Sequence, residues 1–139
     1  MYRRGMMALL VACAFAAPAA LAEQPIIVGE HVSERVETPH PYASSGTTQP
    51  MLTWVDEITF PGATYIATHF ERMDLAAGDF VVVRSPDGKQ SWTYTGTGRH
   101  GLGATPEGFF ATHIKGDAAV IELWTTGDSE AFGYVIDKY

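Results

Sequence analysis

The sequence predicts an all-β protein, an antiparallel β-sandwich or jelly roll of seven to eight strands, on three observations. From Met51 onward the chain is a succession of short runs rich in Val, Ile, Thr, Phe, Tyr and Trp, residues that suit a pleated, half-buried surface. Turn residues close each run at the short spacing typical of sandwiches and barrels. Beyond the first 22 residues no amphipathic helical periodicity extends over ten residues or more.

The runs follow in order as "MLTWVDEITF", "ATYIATHF", "DFVVVR", "SWTYT", "GFFATHI", "AAVIELWT" and "AFGYVIDK". Breaks fall at Pro61-Gly62, Ala76-Ala77-Gly78, Lys115-Gly116-Asp117 and Thr126-Gly127-Asp128. "SPDGKQ" supplies Pro and Asp-Gly between two runs, which predicts a hairpin joining 81–84 to 90–95. Alternation then assigns faces. Ile66, Thr68 and Phe70 oppose Tyr65, Ala67 and His69, and Ala119, Ile121 and Leu123 oppose Val120, Glu122 and Trp124. Trp92 and Tyr94 share the inner face of their strand, Ser91, Thr93 and Thr95 the solvated one; Trp54 is expected in the core.

Ahead of this domain, 51–139, lie two other segments. Residues 1–22, "MYRRGMMALLVACAFAAPAALA", have a basic start, an apolar stretch and small residues before a cleavage point after Ala22, the pattern of a signal peptide rather than a membrane anchor. Arg3-Arg4 also suits a twin-arginine signal, and "LVAC" around Cys13 a lipoprotein signal. The expected location is secreted or periplasmic, with no membrane span once the leader is gone. Residues 23–50 read as an extended segment and linker, because "ETPHPYASSGTTQP" is rich in Pro, Ser, Thr and Gly.

Removing the leader leaves 7 basic and 16 acidic side chains, a net charge of −9. Nucleic acid is disfavoured as a partner, because phosphate binding needs clustered Lys and Arg. The only cysteine, Cys13, lies in the leader, so the expected product has no disulfide and depends on its core. A chain of this size buries roughly 65% of its unfolded surface, enough for one independent domain.

Signs of catalysis are weak. "GTGRHG", residues 96–101, fits the Gly-x-Gly-x-x-Gly of dinucleotide-binding loops, but Gly103, Pro106 and Gly108 prevent the helix that must follow. The motif is expected to be a Gly-rich loop between strands. Ser85, Ser91 or Ser129 with His100 and Asp128 lack the tight strand-to-helix turn that presents a nucleophile. Asp56 and Glu57 are adjacent on a strand and point to opposite faces, so they cannot flank one bond. His69 and His113, each in an "ATH" triplet, invite a metal site but read more simply as strand residues. A non-catalytic protein is expected. Its binding candidates are Arg99 and His100, in the long glycine-rich loop 96–108, since loops on a rigid scaffold commonly carry recognition.

The order "ETPHPY", "WVDEITFPGATYIATHF", "LAAGDFVVV", continued through "GFFATHIKGDAAVIEL" to "GYVIDKY", resembles CUB-like domains over residues 37–139. The resemblance implies a β-sandwich of the kind found beside the catalytic domain of some secreted trypsin-like serine proteases. It further implies a recognition or accessory role toward an extracellular protein. The second expectation is a carbohydrate-binding module of the cell envelope, whose partner is a glycan. Many CUB domains hold calcium between acidic residues. Asp79 matches the acidic-aromatic position, with Asp74 and Asp117 as further ligands, although Ala76 stands where a Glu is usual.

Overall fold

A computed structural model describes residues 28–100, 104–105 and 107–139. The leader, residues 1–22, and the centre of the loop 96–108 lie outside the described residues. The described chain is all-β, in antiparallel sheets and without a helix.

Among the described residues eleven strands form, against an expectation of seven to eight. They are β1 (Ser33–Glu37), β2 (Met51–Thr59), β3 (Tyr65–Ile66), β4 (His69–Asp74), β5 (Phe80–Arg84), β6 (Ser91–Thr95), β7 (Ala104–Thr105), β8 (Gly108–Phe110), β9 (Ile114–Lys115), β10 (Ala118–Thr125) and β11 (Gly133–Lys138). Two continuous runs of the sequence account for much of the excess. "ATYIATHF" divides into β3 and β4, and "GFFATHI" into β8 and β9, because each leaves one sheet and joins another: β3 pairs β9, and β4 pairs β8.

One sheet has the order β1-β11-β4-β8-β7, the other β2-β10-β5-β6, and β3-β9 is a separate pair. Strict alternation orients the second sheet. Val81 and Val83 of β5, Ala119, Ile121 and Leu123 of β10 and Ile58 of β2 face inward and are almost fully buried. Phe70 and Met73 of β4 and Tyr134 and Ile136 of β11 join them in one core cluster, so the two larger sheets pack as a sandwich. Each buried aliphatic side chain contributes about 1.5–3 kcal/mol. The Phe70 ring stacks on Phe109 at 5.2 Å and meets Tyr134 edge-on at 5.6 Å, which fills the space between the layers.

β5 and β6 pair as expected, from Phe80 opposite Thr95 to Arg84 opposite Ser91. Trp92 and Tyr94 do lie on the inner face, but β6 is an edge strand and Trp92 remains 46% exposed. Trp54 departs from the core expectation for the same reason. It sits on the other edge strand, β2, and is 36% exposed. Beside it Asp56, opposite buried Ile121, turns a carboxylate inward. A register shift between Leu123 and Trp124 leaves Thr53 without a counterpart in the β2-β10 ladder.

The segment read as linker is partly structural. Residues 33–37 form β1, which pairs β11, and Thr38 and Tyr42 are buried. Only Val36 of β1 packs against the core, so apolar alternation could not reveal the strand. Gly133, at φ +98°, makes this packing possible, because a Cβ there would collide with the Thr38 hydroxyl. Gly98 of "GTGRHG" serves packing too. Gly98, at φ +84°, lies against the Phe109 ring in a turn closed by its N–H to the Thr95 carbonyl, and no helix follows among the described residues.

Candidate functional site

The three acids proposed for calcium do not converge. Asp79 is buried, and its oxygens are already engaged: Oδ2 accepts from the Tyr42 hydroxyl at 2.5 Å, and Oδ1 from the Thr126 backbone N–H at 2.7 Å. The Tyr42 oxygen in turn accepts the Ala76 N–H at 2.9 Å. Asp79 thereby fastens the 38–42 segment and the end of β10 to the turn before β5. Asp74 is half-exposed, 3.9 Å from Arg72, and Asp117 is exposed in the turn between β9 and β10. Among the described residues no group of three or more His, Cys, Asp or Glu side chains is arranged to hold a metal ion.

Arg99 and His100 are exposed, and His100 Nε2 lies 2.8 Å from the Thr97 hydroxyl. Their loop continues through residues outside those described. His69 and His113 do not share a site. His69 is buried on the outer side of the first sheet, with Nδ1 2.5 Å from Asp137 Oδ1 and its ring against Phe110 at 4.6 Å. Burial pushes the Asp137 carboxyl up, but the hydrogen bond with His69 and the charges of His69 and Lys138 leave it below its ordinary value. His113 is exposed and meets Tyr65 edge-on.

On the outer face of the second sheet, Arg84 holds Glu122 through Nε at 2.8 Å and a second guanidinium nitrogen at 2.7 Å, and the Trp124 indole donates to the same carboxylate at 3.0 Å. Phe80 and Trp124 are parallel to within 7° with centroids 6.1 Å apart. That separation belongs to an offset stack, not to the flat side-by-side platform on which sugar rings lie.

The site that the fold builds is at the end of the sandwich where β3 and β9 lie. An arm, residues 28–32, crosses this end and leaves beneath it a cavity of about 520 Å³. Small-molecule sites commonly span roughly 300–1,000 Å³ and are mainly apolar with a few polar groups. Phe60, Tyr65, Phe110 and Tyr139 supply four aromatic side chains to its lining, and Glu30, His31 and Thr64 supply polar ones.

Two anchors hold the arm. The Tyr65 hydroxyl donates to the Val28 carbonyl at 2.7 Å, and Val32 and Tyr139 exchange backbone hydrogen bonds at 2.9 and 3.0 Å. Between the anchors Gly29 passes so close to Tyr65 that a Cβ would stand 2.5 Å from its hydroxyl oxygen. The aromatic walls are themselves braced: Phe60 meets Tyr139 edge-on at 6.3 Å, and Phe110 has His31 at 5.7 Å and His69 at 4.6 Å. Burial and the neighbouring Glu34 carboxylate push the Tyr139 phenol up.

Sequence reading missed these residues. Their one visible signal was the apolar "PIIVGEHV" ahead of the linker, but Phe60, Tyr65, Phe110 and Tyr139 come from four separate parts of the chain and meet only in the fold.

No family model, curated protein or solved structure matches this chain. Among the described residues no helix is long and apolar enough to cross a membrane.

Proposed function

We propose that the protein is a non-catalytic recognition domain that grips a protruding group of an extracellular protein in the aromatic cleft beneath the 28–32 arm. The observation that carries this is the cleft itself. Its wall is the 28–32 segment, held at its ends by Tyr65 and Tyr139 and braced between them by His31 against Phe110, and its mainly apolar lining includes the polar Glu30, His31 and Thr64. Rigid aromatic side chains that remain partly exposed are the usual anchors of recognition, since they offer large contact area with little entropy to lose. Tyr65 is 40% and Phe60 37% exposed. The signal-peptide pattern of residues 1–22 and the CUB-like order of residues 37–139 support an exported, accessory role.

The test is capture from secreted and envelope extract on the immobilised chain beginning at Glu23. Thr64→Trp, which fills the cleft from an exposed position, is expected to abolish retention of a specific protein, whereas Arg99→Ala with His100→Ala is expected to keep it. The opposite pattern would return recognition to the loop and remove the cleft from consideration.

A further inference from the structure

From the lining of the cleft we infer the chemical class of the group it takes: an alkylammonium cation, such as a methylated amine, borne by the partner protein. This rests on the cleft being the binding site and specifies its ligand. Three observations lead to it. Four of the fourteen described lining residues are aromatic, and ring faces attract organic cations through their quadrupole. The only formally charged acid or base of the Asp, Glu, Lys and Arg type among them is Glu30, while a second carboxylate, Glu34, faces the Tyr139 phenol. No Lys or Arg is present in that lining, and the whole chain carries a net charge of −7, so a cation meets attraction at long range.

A bulky ammonium suits such a site better than a bare one. Its methyl groups lose little hydration on entering an apolar cavity, while its charge still polarises toward the rings and the exposed Glu30 carboxylate. An anionic ligand would face Glu30 unaided. A neutral apolar group of the same shape would gain burial but nothing from the rings' electrostatics.

Calorimetric titration of the full mature chain with choline, and with its neutral carbon isostere 3,3-dimethylbutan-1-ol, separates these contributions. Choline is expected to bind about tenfold more tightly than the isostere, since two or three cation–π contacts to partly exposed rings contribute about a factor of two to five each. Glu30→Gln, an exposed change that leaves the fold intact, is expected to weaken choline several-fold and leave the isostere unaffected. Free trimethyl-lysine is expected to match or exceed choline, and phosphocholine, whose phosphate would approach Glu30 and Glu34, to bind more weakly than either. Equal affinity for choline and the isostere would overturn the cation assignment while leaving the cleft as a binding site. Tighter binding of phosphocholine would overturn the protein-borne source. If neither choline nor the isostere binds, the cation assignment fails, and the Thr64→Trp capture experiment alone judges the cleft.

Discussion

The Tyr134 hydroxyl donates a hydrogen bond of 2.6 Å to the Asp56 carboxylate, so a strand of one sheet is tied to the edge strand of the other. The Trp54 indole donates to the same oxygen at 2.8 Å. Burial, then the hydrogen bond and charge of Asp56, push the Tyr134 phenol far above its ordinary value. Tyr42, buried and bonded to Asp79, is raised in the same way.

A group whose folded pKa is raised stabilises the protein fully below its unfolded value, about 10 for tyrosine, and loses that contribution as pH rises toward the folded value. Of the five tyrosines that remain once residues 1–22 are removed, Tyr42 and Tyr134 are therefore expected to ionise only as the protein unfolds. An alkaline titration followed by tyrosinate absorbance and by circular dichroism checks this. Ionisation of all five before any loss of β-structure would refute it.

Asp79 has a structural role that its position in the sequence does not announce. Asp79→Ala strands the Tyr42 hydroxyl and the Thr126 N–H in the interior, at a cost of about 3 kcal/mol, and lowers the melting temperature by roughly 10 °C. Calcium or chelator should leave the melting temperature of the wild-type protein unchanged. A calcium-dependent rise lost in Asp79→Ala would show that the carboxylate can exchange its internal donors for a metal.

Thr68 presents the converse case. Its hydroxyl is buried without a hydrogen-bond partner, while its backbone carbonyl accepts from Ala111. Thr68→Val removes the unsatisfied oxygen and keeps the shape, and is expected to stabilise the protein by about 1 kcal/mol. Chemical denaturation gives the difference directly, and a loss of stability would show that the hydroxyl has a partner, such as an ordered water.

Acid should act through Asp137. Its folded pKa lies below the ordinary carboxylate value, so its contribution with His69 is present above the unfolded pKa, about 4, and disappears as pH falls through the folded one. Asp137→Asn should therefore lose stability at neutral pH relative to wild type, and the gap should narrow in strong acid. Urea midpoints for both proteins across that range test the sign.

Where burial on one face dictates residue type, the sequence was legible. Alternation set Ile66, Thr68 and Phe70 on one face and Ala119, Ile121 and Leu123 on one face, and each of these sets is buried in the fold; Asp-Gly marked the β5-β6 turn. It was silent about β1, whose place is decided by backbone pairing with β11 rather than by apolar side chains. Buried polar residues misled in a particular way. Asp79 looked available for a metal because a one-dimensional reading cannot see Tyr42, 37 positions earlier, delivering a hydroxyl to it. The cleft was harder still, since its residues share no spacing, and the arm that roofs it was grouped with a linker.

Asp56 has one more consequence, for how neighbouring molecules meet. β2 is a long outer strand with Met51, Leu52 and Val55 exposed, the kind of border along which chains zip together into aggregates. A second copy docking there and flattening the strand would have to drag Asp56 away from Tyr134 or bury it against apolar side chains, and the irregularity at Thr53 spoils the straight template such docking requires. The bond between Tyr134 and Asp56 thus also guards this adhesive border, and a change that frees Asp56 should cost solubility as well as stability.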